Sequence, residues 1–221
     1  MDFRPPKQQR SSESCGRILD AAEQLIKEHG YDNMTVAEVV RLSGSSVGSL
    51  YARFRNKLGL LTALQTRSHA RLQADLQSAL DKVAGGPLDA VVDVFASTLC
   101  TSLLSRAELY RAFLVQAILN QELREIGHNM DRSRAEIFVR AVEGCRDEIK
   151  HPDPARAARW GHAFIMAVMR ERMLLGVPPG QGDMLDPEAV QFLARAVKCG
   201  LNNTPGSGLQ SPDTGMVVVP L

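Results

Sequence analysis

Apolar positions early in the chain recur with helical spacing. Ile18, Leu19, Ala22, Leu25 and Ile26 fall at i, i+1, i+4, i+7 and i+8, one face of a helix that starts about Ser14. Gly30 is placed to end it as a C′ residue. Thr35-Val-Ala-Glu38 then fits a capping box, and Met34 and Val39 stand where a hydrophobic staple forms. Val36, Val39 and Val40 continue a short helix to about Ser43-Gly44. Ser46 is placed to cap another, over 47–53, with Val47, Leu50, Tyr51 and Phe54 as its apolar side. Two short helices joined by about three residues with a glycine predict a helix-turn-helix.

The same period runs through the rest of the chain. Leu60, Leu61, Leu64, Leu72, Leu76 and Leu80 mark a long helix from about Lys57 to the Gly85-Gly86 stop, with Pro87 in the first turn of the next, 87–104. Further helices are predicted over 106–119, 121–149, 154–176 and 187–199, the last bounded by Asp186-Pro187-Glu188 and Gly200. The expected architecture is all-α. It divides into a flexible arm (1–13), a three-helix domain (14–56), a helical domain (57–200) and a Pro-, Gly- and Ser-rich disordered tail (201–221).

Composition narrows the function classes. Aromatic residues are only 5% of the chain, and alternating apolar runs are few, which disfavours sheet. The four cysteines are scattered, without a C-x-x-C or a zinc spacing, and the five histidines form no H-E-x-x-H. No metal or cofactor is therefore expected. No apolar run has the ~18 residues of a membrane span, and no secretory leader is visible, so a cytoplasmic protein without membrane contact is expected.

Net charge is only +1, but its distribution is uneven. Residues 1–74 hold 11 Lys and Arg against 7 Asp and Glu, whereas residues 75–221 hold 15 against 18. No acid occurs over the 36 positions between Glu38 and Asp75, where Arg41, Arg53, Arg55, Lys57, Arg67 and Arg71 all lie. A surface kept free of repulsion for phosphates accounts for this gap better than chance.

Residues 44–48, GSSVG, also fit the G-x-S-x-G elbow of serine hydrolases, with Ser46 as nucleophile. That elbow needs a strand before the serine and a parallel sheet around it. The preceding TVAEVVRL carries a helical cap and period instead, so no catalytic residue is assigned.

Residues 17–64 resemble the N-terminal domain of TetR-family transcriptional regulators. The resemblance rests on His29-Gly30-Tyr31, Thr35 as cap, Gly44 in the turn, Gly48-Ser49-Leu50-Tyr51, Phe54, and Asn56-Lys57 with Leu60 and Leu61 beyond. It implies that Thr35, Ser46, Ser49 and Tyr51 approach phosphates or base edges, that Gly48 lets the backbone near the groove wall, and that Lys57 binds a phosphate. Two positions depart from the family pattern: Ser45 where an apolar residue is usual, and Val47 where a polar or basic one is. Val47 is open to contact with a thymine methyl or to burial in the core. Arg53 and Arg55 are open to phosphate contact or simple solvation. Arg4, Lys7 and Arg10 are read first as a disordered arm and second as a groove contact.

The resemblance further implies a dimer, a small effector bound in the helical domain, and a repressor that leaves an inverted-repeat operator in double-stranded DNA when the effector binds. Two apolar stripes on 154–176 point to a dimer interface through 154–199: one runs from Ala157 through Trp160, Gly161 and Phe164 to Val168, the other from Ala158 to Met173. Phe95, Leu99, Phe113, Phe138, Trp160, Phe164 and Met166 are the candidate liners of a pocket for an apolar or aromatic effector, with His128 and His162 as candidate polar contacts. A helical adaptor that works through 154–199 without reading DNA is the alternative in another class.

Overall fold

The computed structural model describes residues 7–176 and 187–203, and the side chains from Glu13 onward. The described residues are mostly helical, without a strand. The helices are α1 (Lys7–Asn33), α2 (Val36–Ser43), α3 (Val47–Tyr51), α4 (Lys57–Asp81), α5 (Leu88–Leu104), α6 (Ala107–Leu119), α7 (Gln121–Glu143), α8 (Pro154–Leu175) and α9 (Pro187–Asn202). None of them is long and apolar enough to cross a membrane.

Several boundaries differ from expectation, α3 ending at Tyr51 and α4 at Asp81 among them, and the larger differences have local reasons. Helix α1 starts at Lys7, so Lys7–Glu13 is helical rather than part of an arm. Nothing between Pro6 and Cys15 breaks a helix, and the apolar period simply begins later than the hydrogen bonding does. Gly30, at φ 78°, interrupts α1 near the expected stop, where a left-handed backbone suits glycine alone. Helix α7 ends at Glu143 and is followed by a 3-10 turn, Arg146–Glu148, rather than running to 149. That turn delivers the Glu148 carboxylate to the Leu88 amide at 3.1 Å, which caps α5, since Pro87 at its N-cap offers no side-chain acceptor. Helix α9 passes through Gly200 because Leu201 is fully buried and its carbonyl accepts from the His151 amide at 3.0 Å. Of the remaining expectations, residues 204–221, Arg4 and Asp186 lie outside the described residues.

Two apolar clusters make the core. The first joins Ile18, Ala22, Leu25 and Ile26 of α1, Met34, Val39, Leu50 and Phe54 of the short-helix region, and Leu60, Leu61 and Leu64 of α4. Leu109, Ala112 and Phe113 of α6 and Leu123 of α7 complete it, so packing runs across the sequence boundary at 56/57. The second cluster gathers Leu72, Leu76 and Leu80 of α4 with α5, α7, α8 and α9. At its centre Phe95 and Phe138 stack with ring centroids 4.1 Å apart.

His162 of α8 lies in this second cluster, 4% exposed, its ring tilted against Phe95. Burial first, and the Arg134 charge second, lower its pKa from 6.5 to about 4. The unfolded chain takes up the proton at the ordinary value, so the folded state binds fewer protons between the two. Stability is therefore complete above pH 6.5 and is lost as the pH falls toward 4, by about 1.4 kcal/mol per pH unit at the steepest for this one group. Urea titrations across that range should show the decline, and His162→Leu should make it shallower by about 1.4 kcal/mol per pH unit at the steepest, leaving the part contributed by His69, whose pKa is lowered to the same value. A slope unchanged by the substitution would mean that His162 is not the group responsible.

Candidate nucleic-acid interface and ligand cavity

The helix-turn-helix is held by its own polar side chains. Thr35 Oγ1 accepts from the Glu38 amide at 3.3 Å, and the Glu38 carboxylate accepts from the Thr35 amide at 2.9 Å, closing the capping box. The Thr35 hydroxyl also donates to the Glu38 carboxylate at 2.7 Å, and this bond first, with the Thr35 amide second, holds the Glu38 carboxyl below its ordinary range. Gly44 ends α2 in the left-handed region, at φ 62°. Ser46 Oγ then accepts from the Ser49 amide at 3.1 Å and caps α3. The supposed nucleophile is a helix cap, with α2 rather than a strand before it.

Helix α3 buries Leu50 and turns the rest outward. Val47 is 52% exposed and Tyr51 50% exposed, so Val47 is not a core residue. Gly48 has no heavy atom within 4 Å of an added Cβ, leaving this side of α3 open to an approaching surface. Thr35 and Ser46 are exposed beside it. Arg53 folds back along α3, its Nη1 donating to the Ser49 carbonyl at 2.8 Å and to Ser49 Oγ at 2.6 Å. Arg55 is exposed.

Lys57 has a different setting from the one its position at a helix start implies. The α4 N-terminus is capped by Asn56, whose Oδ1 accepts from the Gly59 amide at 2.8 Å. The Lys57 ammonium donates to the Asp32 carbonyl at 3.0 Å and lies 4.4 Å from the Tyr31 ring centroid. Burial lowers its pKa and raises that of Tyr31. Lys57 thus pins α4 to the last residues of α1, past the Gly30 break.

The acid-free stretch divides in two. Arg67 reaches Asp20 at 2.6 Å and Glu23 at 2.5 Å, Arg71 reaches Glu23 at 3.1 Å, and Arg106 from the start of α6 reaches Glu23 at 3.2 Å. Arg67 and Arg71 therefore face α1 and are not part of a phosphate-facing surface. Sequence separation hid this, since their acids lie more than 40 residues away. Arg41, Arg53, Arg55 and Lys57 remain on the helix-turn-helix side.

A cavity of about 380 Å³ opens between α4, α6, α7 and α8. Phe113 and Met166 line it, as expected. Phe95, Leu99 and Phe138 do not: all three are fully buried in the second cluster, where aromatic volume fills the core rather than leaving space. Trp160 and Phe164 do not either. They are 55% and 43% exposed on the outer side of α8, beside a shallow groove against Ala196 and Val197 of α9. His128 lines the cavity, and His162 lies in the neighbouring core.

The cavity's polar residues were missed: Gln65 and His69 on α4, Tyr110 on α6, Asp131 and Arg134 on α7, and Arg170 on α8. The signal was present. The leucine ladder of α4 breaks between Leu64 and Leu72, and its buried side there carries Gln65 and Ser68 instead. Arg134, 6% exposed, donates to His69 Nδ1 at 3.2 Å and pairs with Asp131, which also pairs with Arg170. Burial, then the Arg134 charge, lowers the His69 pKa to about 4, so this ring is neutral at neutral pH.

Comparison with known proteins agrees with the geometry. A family model described as bacterial regulatory proteins, tetR family, matches residues 18–64. The HTH-type transcriptional repressor ComR of Escherichia coli is 34% identical over 79 residues, 36% of this chain and 38% of that protein. The A-factor receptor protein of Streptomyces griseus is 26% identical over 87 residues, 39% of this chain and 29% of its own length. The match thus spans less than half the length of either relative. Among solved structures, a candidate TetR-family regulator from Mesorhizobium loti superposes with a TM-score of 0.68 at 19% identity, covering 87% of this chain and 96% of that one. A TetR transcription regulator from Haloarcula marismortui gives 0.63 at 15% identity, covering 86% and 97%. At these identities the structures speak for the fold. The helix-turn-helix domain of this chain is a TetR-family domain, and the chain has the all-α fold of the TetR-family structures it resembles.

Proposed function

We propose that the chain is a sequence-specific DNA-binding transcriptional regulator that acts as a dimer and releases its operator when a small ligand enters the α4–α6–α7–α8 cavity. One observation carries the reading: a doubly capped α2–turn–α3 unit whose outer side presents Val47, Gly48 and Tyr51 to solvent while Leu50 anchors it. A side chain such as Val47 suits the thymine methyl of a major groove, and Thr35, Ser46 and Ser49 suit phosphates. ComR is named a repressor, which favours repression over activation. Trp160 and Phe164 on α8 and Phe192 on α9 are large apolar side chains on one chain's surface, the feature a two-fold interface would cover.

Two outcomes test this. Selection from random duplex DNA should return an inverted repeat whose half-sites lie about 34–36 Å apart or a multiple of that, and light scattering should give twice the 24.2 kDa chain mass. No reproducible motif, or a stable monomer at micromolar concentration, would contradict it. Lys57→Ala should weaken binding to all sequences alike; a fall of about 1 in the slope of log affinity against log salt would give the ammonium a phosphate, and an unchanged slope would leave it only its hold on Asp32 and Tyr31. Loss confined to one base position would assign Lys57 to base readout instead.

A further inference from the structure

The two walls of the cavity differ in chemistry. Leu103, Phe113, Leu114, Ile118, Met166 and Met173 make one side apolar. The other carries Arg134 and Arg170 with a single carboxylate, Asp131, shared between them. Arg124 adds a third cation, so the lining holds three guanidiniums against one acid, with His69 neutral. A cationic ligand would meet net repulsion here. Two guanidiniums sharing one carboxylate are an anion short, and for Arg134, whose side chain is 7% exposed, a poorly compensated charge is costly in a low dielectric.

Unmet hydrogen bonds point the same way. Arg134 and Gln65 are each 6% exposed and line the cavity from facing helices. Arg134 Nε has no acceptor and Gln65 Oε1 has no donor. A buried polar group without a partner is uncommon, and these two line a space large enough for a bound molecule to supply one. At roughly the 30 Å³ a water occupies in the liquid, 380 Å³ suits a molecule of about a dozen non-hydrogen atoms.

We propose that the cavity binds a small amphipathic carboxylate, its apolar body against Phe113, Met166 and Met173 and its carboxylate on the Arg134–Arg170 side. This rests on the cavity being the ligand site of the function proposed above, and it replaces the apolar effector expected from sequence with an anionic one. The guanidiniums supply bidentate recognition of a planar carboxylate, and Gln65 accepts from a hydroxyl or amide on the ligand where it has one.

The test is calorimetric titration of the full chain, without DNA, with octanoate and 4-phenylbutyrate and with their primary amides and amines. The carboxylates should bind at least about tenfold more tightly than the matched amides, and the amines more weakly still. Arg170→Gln, at a partly exposed position, should remove that preference by weakening the carboxylates about tenfold while leaving the amides within about twofold. Arg134→Gln should do the same, and a misfolded Arg134 variant leaves the Arg170 result decisive. Equal binding of carboxylate and amide, preference for the amine, or no binding of either carboxylate at millimolar concentration overturns the proposal. Because DNA is absent from the titration, its failure leaves operator selection standing, and failed operator selection leaves the carboxylate preference standing.

Discussion

One unbroken helix belongs to both halves of this protein. Helix α4, roughly 37 Å long at 1.5 Å per residue, places Leu60, Leu61 and Leu64 in the core beneath the helix-turn-helix and Leu72, Leu76 and Leu80 in the core of the helical domain. Neither core closes without it. Between the two leucine groups its buried side turns polar, and Gln65 and His69 there form part of the cavity wall. The opposite side of the same turns carries Arg67 and Arg71, locked onto Asp20 and Glu23 of α1. Any ligand that displaces α4 at Gln65 therefore acts at once on the ion pairs that hold α1.

Glu23 concentrates that coupling. It is the shared partner of Arg67 and Arg71 from α4 and of Arg106 from the start of α6, and its side chain is 21% exposed. Helix α6 also lines the cavity through Tyr110 and Phe113, and Phe113 belongs to the first core. The cavity and the helix-turn-helix thus share two helices. At the near end, Asn56 and Lys57 fix the start of α4 to its own first turn and to Tyr31 and Asp32 at the end of α1. A tilt of α4 has little slack to absorb it before α2 and α3 move.

The helix-turn-helix was legible in the sequence because its determinants are local. The Thr35–Glu38 box, Gly44 and the Ser46 cap each act within four residues, and all three take the form the sequence implies. The cavity is not legible from aromatic residues, because Phe113 alone of the five aromatic candidates lines it. Phe95 and Phe138 instead stack on each other in the core, and Trp160 and Phe164 face outward. Its marker was a gap in a leucine ladder, together with arginines whose partners come from other helices. The end of α9 was misplaced for a related reason: Leu201 and its bond to His151 are tertiary, and they outweigh the intrinsic weakness of Gly200.

The continuity of α4 is the claim on which the rest turns, and native-state hydrogen exchange addresses it directly. Amides along α4 from Leu61 to Leu76, across the polar break at Gln65–His69, should open with one free energy, alike within about 1 kcal/mol, because both cores close on one cooperative unit. Two plateaus that separate at the break, with the Leu60–Leu64 turns opening several kcal/mol more easily than the Leu72–Leu80 turns, would contradict the account.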